Sequence, residues 1–471
     1  MVDPSLHNED LAPVPPEKRT WGTGHIAALW VGMAICVPTY TLASERVAGG
    51  MSAWQAVGVI ALANLIVLFP LMANGHPGTR YGIPFPVVVR ASFGVRGAQL
   101  PAVLRALVAC GWFGIQCWFG GLGLWVTASA LVPSVSVPDV AILGADLAPL
   151  IWFFVFWLIN VFFIWRGMES IKWLETLAAP FLLLCGAALL TWAIVEGGGL
   201  GKVMSQPATK PLSDTFAIAL TSGVSFWATL ALNIPDFSRF ARSQRDQAMG
   251  QAIAMPTTMT LFAFIGVATT AATVLVFGQA IAYPDQLVTR FGSPLIVGVS
   301  MLGLAIATLS TNIAANVVSP ANDFANLAPA KISYRAGGVI TAVIGVLICP
   351  WLILKSAGNY IFVWLVGYGV LLGPIGAIMI VDYFVLRRRE LVVDDLYRRG
   401  GQYEYTGGVN WRAMAAFALG VLPCLPGFLV AASGAKPTAV PALFNHLYTW
   451  AWFVSSGVGG AVYYGLMRRR V

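Results

Sequence analysis

The sequence predicts an all-α polytopic membrane protein with twelve transmembrane helices, and three observations carry that prediction. Hydrophobic residues make up 58% of the 471 and charged residues 10%, against about 25% charged in soluble domains. Apolar stretches near the roughly 20 residues that cross a bilayer recur from residue 24 to the C-terminus. The 28 Lys and Arg fall 22 on one side of the alternating spans and 6 on the other, the bias of a chain whose N-terminus lies in the cytoplasm.

In order, the spans are read at 24–43, 53–73, 101–131, 147–166, 173–195, 214–234, 251–277, 294–318, 336–354, 360–386, 412–432 and 442–467. They divide the chain into a cytoplasmic N-terminal segment (1–23), a core of ten helices (24–386), a cytoplasmic basic loop (387–411) and two additional helices with a short basic C-terminus (412–471). Residues 1–20 are polar and hold Pro13, Pro15 and Pro16. They lack the basic-then-apolar pattern of a cleavable signal, so the first span directs insertion. The expected location is the cytoplasmic (inner) membrane, multi-pass, with both termini inside. The formal charge of +8 is spread over many loops, which suits anionic headgroups and excludes a nucleic-acid partner.

Two spans look interrupted. In the first, Pro38 within Val37-Pro38-Thr39 removes a backbone donor and frees carbonyls near Gly32 to Ile35. In the sixth, Ser222-Gly223-Val224-Ser225 interrupts a run that resumes at Phe226-Trp227, and Asn233-Ile234-Pro235-Asp236 ends it. These interruptions stand five spans apart, the layout of transporters built from two inverted repeats. Only the layout repeats, with no residue-level match between the halves.

The polar groups at membrane depth are uncharged. Thr308, Ser310, Thr311, Asn312, Asn316 and Ser319 crowd the eighth span, where hydrocarbon makes an unsatisfied hydroxyl or amide costly. In the third span Trp112 and Gln116 lie four apart on one helical face. With Trp227 and Asn316 they describe a slot with aromatic walls and amide edges, suited to a flat heterocycle with alternating N–H and C=O groups. Such amides also serve as interhelical glue. Ser310 and Thr311, with carbonyls freed at the broken helix, suit a hard monovalent cation. Ordinary bonding of these hydroxyls to the carbonyl one turn earlier is the alternative.

Other chemistries find less support. The six cysteines all fall in apolar segments and predict no disulfides, and the four histidines show no metal-ligand spacing. Glu169, Lys172 and Glu175 resemble an ordinary charged turn rather than the catalytic cluster of a membrane enzyme. Val366-Gly367-Tyr368-Gly369 echoes a potassium-channel filter, but Leu365 stands where threonine belongs and no pore helix precedes it.

Several ordered motifs carry a family resemblance over nearly the whole chain. They are Glu17-Lys18-Arg19-Thr20-Trp21, Asn74-Gly75-His76-Pro77-Gly78 with Tyr81-Gly82-Ile83-Pro84-Phe85-Pro86, Trp112-Phe113-Gly114-Ile115-Gln116, Asn233-Ile234-Pro235-Asp236, Ser310-Thr311-Asn312-Ile313-Ala314-Ala315-Asn316 with Ser319-Pro320, and Asp382-Tyr383-Phe384. The sequence resembles nucleobase–cation symporter family 1, and within it the bacterial allantoin and hydantoin permeases. The resemblance implies a five-plus-five inverted repeat (spans 1–5 and 6–10) with two additional helices. It implies a secondary transporter importing a nucleobase or cyclic ureide of uracil, dihydropyrimidine, hydantoin or allantoin type by cation symport.

Carried over by position, Trp112 and Trp227 stack on the ring, and Gln116 and Asn316 read its edge. A sodium site falls on the carbonyls of Gly32, Ile35 and Ala307 and the hydroxyls of Ser310 and Thr311. Cys36 and Phe226 depart from the family pattern, where a ligand-side amide and a glycine stand. Both are counted on the substrate side, as is Ile35. The expected partners are the heterocycle, a coupling cation (sodium, or alternatively a proton) and the bilayer, with no cofactor and no obligatory protein partner. A same-fold transporter of another small polar solute, such as an amino acid, is the alternative.

Overall fold

The computed structural model describes residues 3–132, 134, 137–166, 172–356 and 359–469. Glu169 and Arg470 lie outside the described residues, as do the side chains of Lys172 and Glu175. Among the described residues the architecture is all-α apart from a two-residue antiparallel ladder, Ala141–Ile142 with Ala145–Asp146, in the loop after the third span.

Each predicted span is helical. Among the described residues, seven helices are individually long and apolar enough to cross a membrane: Ala53–Tyr81, Gln99–Leu131, Leu147–Arg166, Gln244–Phe277, Pro294–Leu327, Asn359–Leu386 and Trp411–Ser433. Thr23–Ala34 and Val37–Ala48 form one span bent by 56°. The remaining segments, Lys172–Glu196, Leu212–Phe226 with Ala228–Asn233, Tyr334–Leu347, and Ala442–Thr449 with Ala451–Met467, complete the set. Local chemistry sets many of the ends. Ser52 and Gln55 form a reciprocal capping box at the start of the second span. Ser243, Ser293 and Ser333 cap three later helices, and Gly82 closes Ala53–Tyr81 in the left-handed conformation that glycine adopts freely.

The first break falls where Pro38 predicts it. Ile35 and Cys36 leave the helical region (φ/ψ −85/85 and −150/161), and Pro38 then sits in the first turn of the second half, where its missing donor costs nothing. The sixth-span break lies elsewhere than predicted. The helix runs straight through Ser222-Gly223-Val224-Ser225 and interrupts at Trp227, φ/ψ −97/3. The small residues serve packing instead. Ser222 folds its hydroxyl back to the Ala219 carbonyl at 3.1 Å, and a Cβ at Gly223 would stand 2.8 Å from the Ala63 Cβ.

The third span is the most enclosed of the long helices, while the fourth and eleventh face outward most. Its glycines permit this: Gly114 lies directly against the Gly345 carbonyl, and Gly120 against the Phe156 ring.

Three of the arginines counted in the charge bias are buried: Arg46 of the outer set and Arg90 and Arg105 of the cytoplasmic set are 3%, 0% and 0% exposed. Arg46 satisfies carbonyls of two half-helices, Leu42 at 2.5 Å and Ala219 at 2.7 Å. Arg90 reaches the Leu396 carbonyl and Asn326, and Arg105 pairs with Asp323 at 3.5 Å. Long arginine side chains can fold inward in this way onto carbonyls and carboxylates.

Candidate functional site

Residues from the two broken spans and from the third and eighth enclose a small chamber of about 40 Å³, space for roughly three waters on the usual measure. Its lining includes Cys36, Trp112, Gln116, Phe226, Trp227 and Asn316, six of the seven residues assigned to the substrate, together with Thr311. Ile35 is the exception. Its side chain turns away into an apolar cluster with Tyr40, Phe262, Ile265 and Ala307, leaving its backbone as the part nearest the break.

The aromatic wall is larger than sequence reasoning foresaw. Phe226 meets both indoles edge-to-face, Trp112 at 5.2 Å and 74° and Trp227 at 5.0 Å and 86°, so it links the two proposed stacking faces. Trp112 is further ringed by Tyr360, Trp364 and Tyr368 of the tenth span, with centroids 6.2, 6.2 and 6.5 Å away. Their i, i+4 spacing was a legible signal of a single aromatic face. The channel-like Tyr368 thus belongs to a continuous helix that supports Trp112.

Trp227 is held by a residue that sequence reasoning missed. Its Nε1 donates to Asn64 Oδ1 of the second span at 3.1 Å, both groups buried. Replacing Asn64 with leucine would strand the indole N–H in an apolar interior at a cost of about 1–3 kcal/mol. Asn64→Leu is therefore expected to weaken substrate binding about tenfold, while Asn64→Asp keeps an acceptor and most of the affinity. Quenching of tryptophan fluorescence on titration checks both.

The amides divide into two kinds. Gln116 is 3% exposed and its Oε1 has no hydrogen-bond partner among the described residues. A buried acceptor left unpaired is expensive unless something that enters the site supplies a donor. Asn316 by contrast is anchored, donating through Nδ2 to Asn312 Oδ1 at 3.0 Å. Asn312 lies behind the chamber wall and is fully buried. Cys36 bonds Thr39 at 3.3 Å within its own half-helix, so its thiol contributes mainly shape.

The proposed cation residues come from two elements that meet. Thr311 Oγ1 donates to the Gly32 carbonyl at 3.3 Å, joining the eighth span to the break in the first. Ile35 and Ala307 share one apolar cluster, and Ser310 and Thr311 are 4% and 5% exposed. Their donors are all hydroxyl or carbonyl oxygens, the set that unwound helices offer a coupling ion.

Comparison with known proteins shows the family and the fold. Residues 13–455 match the family of permeases for cytosine and purines, uracil, thiamine and allantoin. The purine-uracil permease NCS1 of Arabidopsis thaliana is 41% identical over 99% of this chain and 78% of its own length. The allantoin permease of Bacillus subtilis is 41% identical over 98% and 93%. Among solved structures, Mhp1, a nucleobase-cation-symport-1 family transporter in a closed conformation with bromovinylhydantoin bound, superposes with a TM-score of 0.80. It is 28% identical, covering 99% of this chain and 96% of its own.

Proposed function

Because this chain belongs to the nucleobase–cation symporter 1 family of membrane permeases, we propose that it imports a nucleobase or cyclic ureide by cation symport. Uracil, dihydropyrimidines, hydantoin and allantoin are the candidate cargoes, and sodium is the first candidate ion. The observation that carries this reading is the chamber itself. An uncharged site with indole faces and a bare amide acceptor, placed where two broken spans meet, suits a flat ring bearing N–H groups and offers nothing to neutralise a carboxylate and an ammonium.

In this reading the ring lies against Trp112 and Trp227, with Phe226 limiting its thickness, and Gln116 and Asn316 bind its polar edge. A cation held by Gly32, Ile35, Ala307, Ser310 and Thr311 ties the eighth span to the first. It couples to transport by favouring the outward-open state that also binds substrate. The protein resides in the cytoplasmic membrane with both termini inside, as its basic residues favour.

Uptake of labelled uracil, hydantoin and allantoin into proteoliposomes, with and without an imposed sodium or proton gradient, tests the proposal. Accumulation driven by one gradient supports symport, and flux indifferent to both overturns it. With sodium as the ion, Ser310→Ala with Thr311→Ala is expected to raise the sodium concentration for half-maximal uptake roughly tenfold or more, since two of five ligands are lost. An unchanged sodium dependence removes these hydroxyls from the site.

A further inference from the structure

Asn316 meets the chamber at the end of a chain of amides, and that chain has a direction. Asn160, fully buried on the fourth span, donates through Nδ2 to the Phe156 carbonyl at 2.9 Å. A backbone carbonyl only accepts, so this amide has one orientation and turns its Oδ1 toward the eighth span. There Asn160 accepts from Asn312 Nδ2 at 3.1 Å, and the same Nδ2 also donates to the Phe113 carbonyl at 3.3 Å. The Oδ1 of Asn312 is left to accept, and it takes Asn316 Nδ2 at 3.0 Å. The nitrogen and oxygen of an amide are alike in shape, yet two backbone carbonyls at the far end decide all three senses. Asn316 therefore turns Nδ2 into the relay and has Oδ1, an acceptor, to offer the chamber. The unpaired Gln116 Oε1 is a second acceptor on the same chamber.

Resting on the reading of this chamber as a nucleobase or ureide site, we infer that the Asn160–Asn312–Asn316 relay locks Asn316 with its acceptor toward the substrate, so that the transporter selects rings for an N–H on that edge. Asn312 is then a positioning residue, acting through Asn316 from behind the wall. The substrate class narrows to cyclic ureides and imides that present an N–H there. A ring oxygen or a bare nitrogen lone pair at the same place sets two acceptors face to face in a buried site, and such rings are rejected.

The test titrates the purified transporter, followed by tryptophan fluorescence, with hydantoin, its 1-methyl and 3-methyl derivatives, and oxazolidine-2,4-dione, whose ring oxygen replaces N1–H at almost equal size. Uracil with its 1-methyl and 3-methyl derivatives forms a parallel series. In the wild type, at least one analogue that lacks an N–H binds roughly tenfold or more weakly than its parent. Asn312→Leu frees Asn316 to turn, and the ratio between analogue and parent falls to within about threefold. Asn312→Asp, whose buried carboxyl keeps its proton, donates to the Phe113 carbonyl and still accepts from Asn316, so the wild-type ratio survives. A merely structural asparagine would weaken parent and analogue alike, and an unchanged ratio in Asn312→Leu overturns the proposal. Equal binding of parents and analogues by the wild type overturns it without any variant. Failure of hydantoin, uracil, dihydrouracil and allantoin alike to bind the wild type instead overturns the proposed function on which the relay's role rests.

Discussion

Asn316→Ala leaves a folded transporter that binds its substrate weakly. The side chain sits at the chamber surface, 8% exposed, so truncation opens space beside an existing chamber and disturbs little packing. What is lost is the acceptor for a ring N–H in a buried site, worth about 1–3 kcal/mol, or roughly a five- to 150-fold rise in Kd. Asn312 simultaneously loses the donor to its Oδ1, but the space opened beside the chamber lets a water supply one. Equilibrium binding and a thermal-unfolding scan on the same preparation separate the two effects. Affinity should fall with little change in Tm, and unchanged affinity would move the substrate away from this wall.

The second large effect is on stability. Arg105 and Asp323 pair at 3.5 Å with side chains 1% and 0% exposed, joining the third span to the helix that follows the break at Val317. Arg105→Leu strands the Asp323 carboxylate in an apolar interior, a loss of about 3–5 kcal/mol when one partner of a buried pair is removed. Arg105→Leu with Asp323→Leu removes both charges, and much of that loss is expected to return. Unfolding in detergent checks the order wild type, double variant, single variant. A single variant as stable as the wild type would show that the pair holds no part of the bundle.

Much of the site was legible before any fold was known. Trp112 and Gln116 share a face because of their spacing, and Pro38 marks a break because it lacks a donor. The crowding of uncharged polar residues in the eighth span shows as a composition anomaly in hydrocarbon. The family resemblance added Cys36 and Phe226 to Trp227, and each of these lines the chamber. Other features lay beyond such reading. Ser222-Gly223-Val224-Ser225 looked like an interruption because glycine and serine permit one, but their neighbours Ala63 and Arg46 use the small size for close packing. The burial of Arg46, Arg90 and Arg105 was not legible, because hydropathy does not show where a long side chain folds.

From the order of residues alone come the all-α membrane fold, the broken first span, and the residue types that line the chamber. These depend on solvent preference and backbone geometry within a turn or two of each residue. Tertiary structure alone decided the place of the sixth-span break, the anchoring of Trp227 by Asn64, and the sense of the Asn316 amide. The physical reason is that a hydrogen bond acquires direction only from its partner. Here the deciding partners stand 163 residues apart for Trp227 and Asn64 and 152 apart for Asn312 and Asn160.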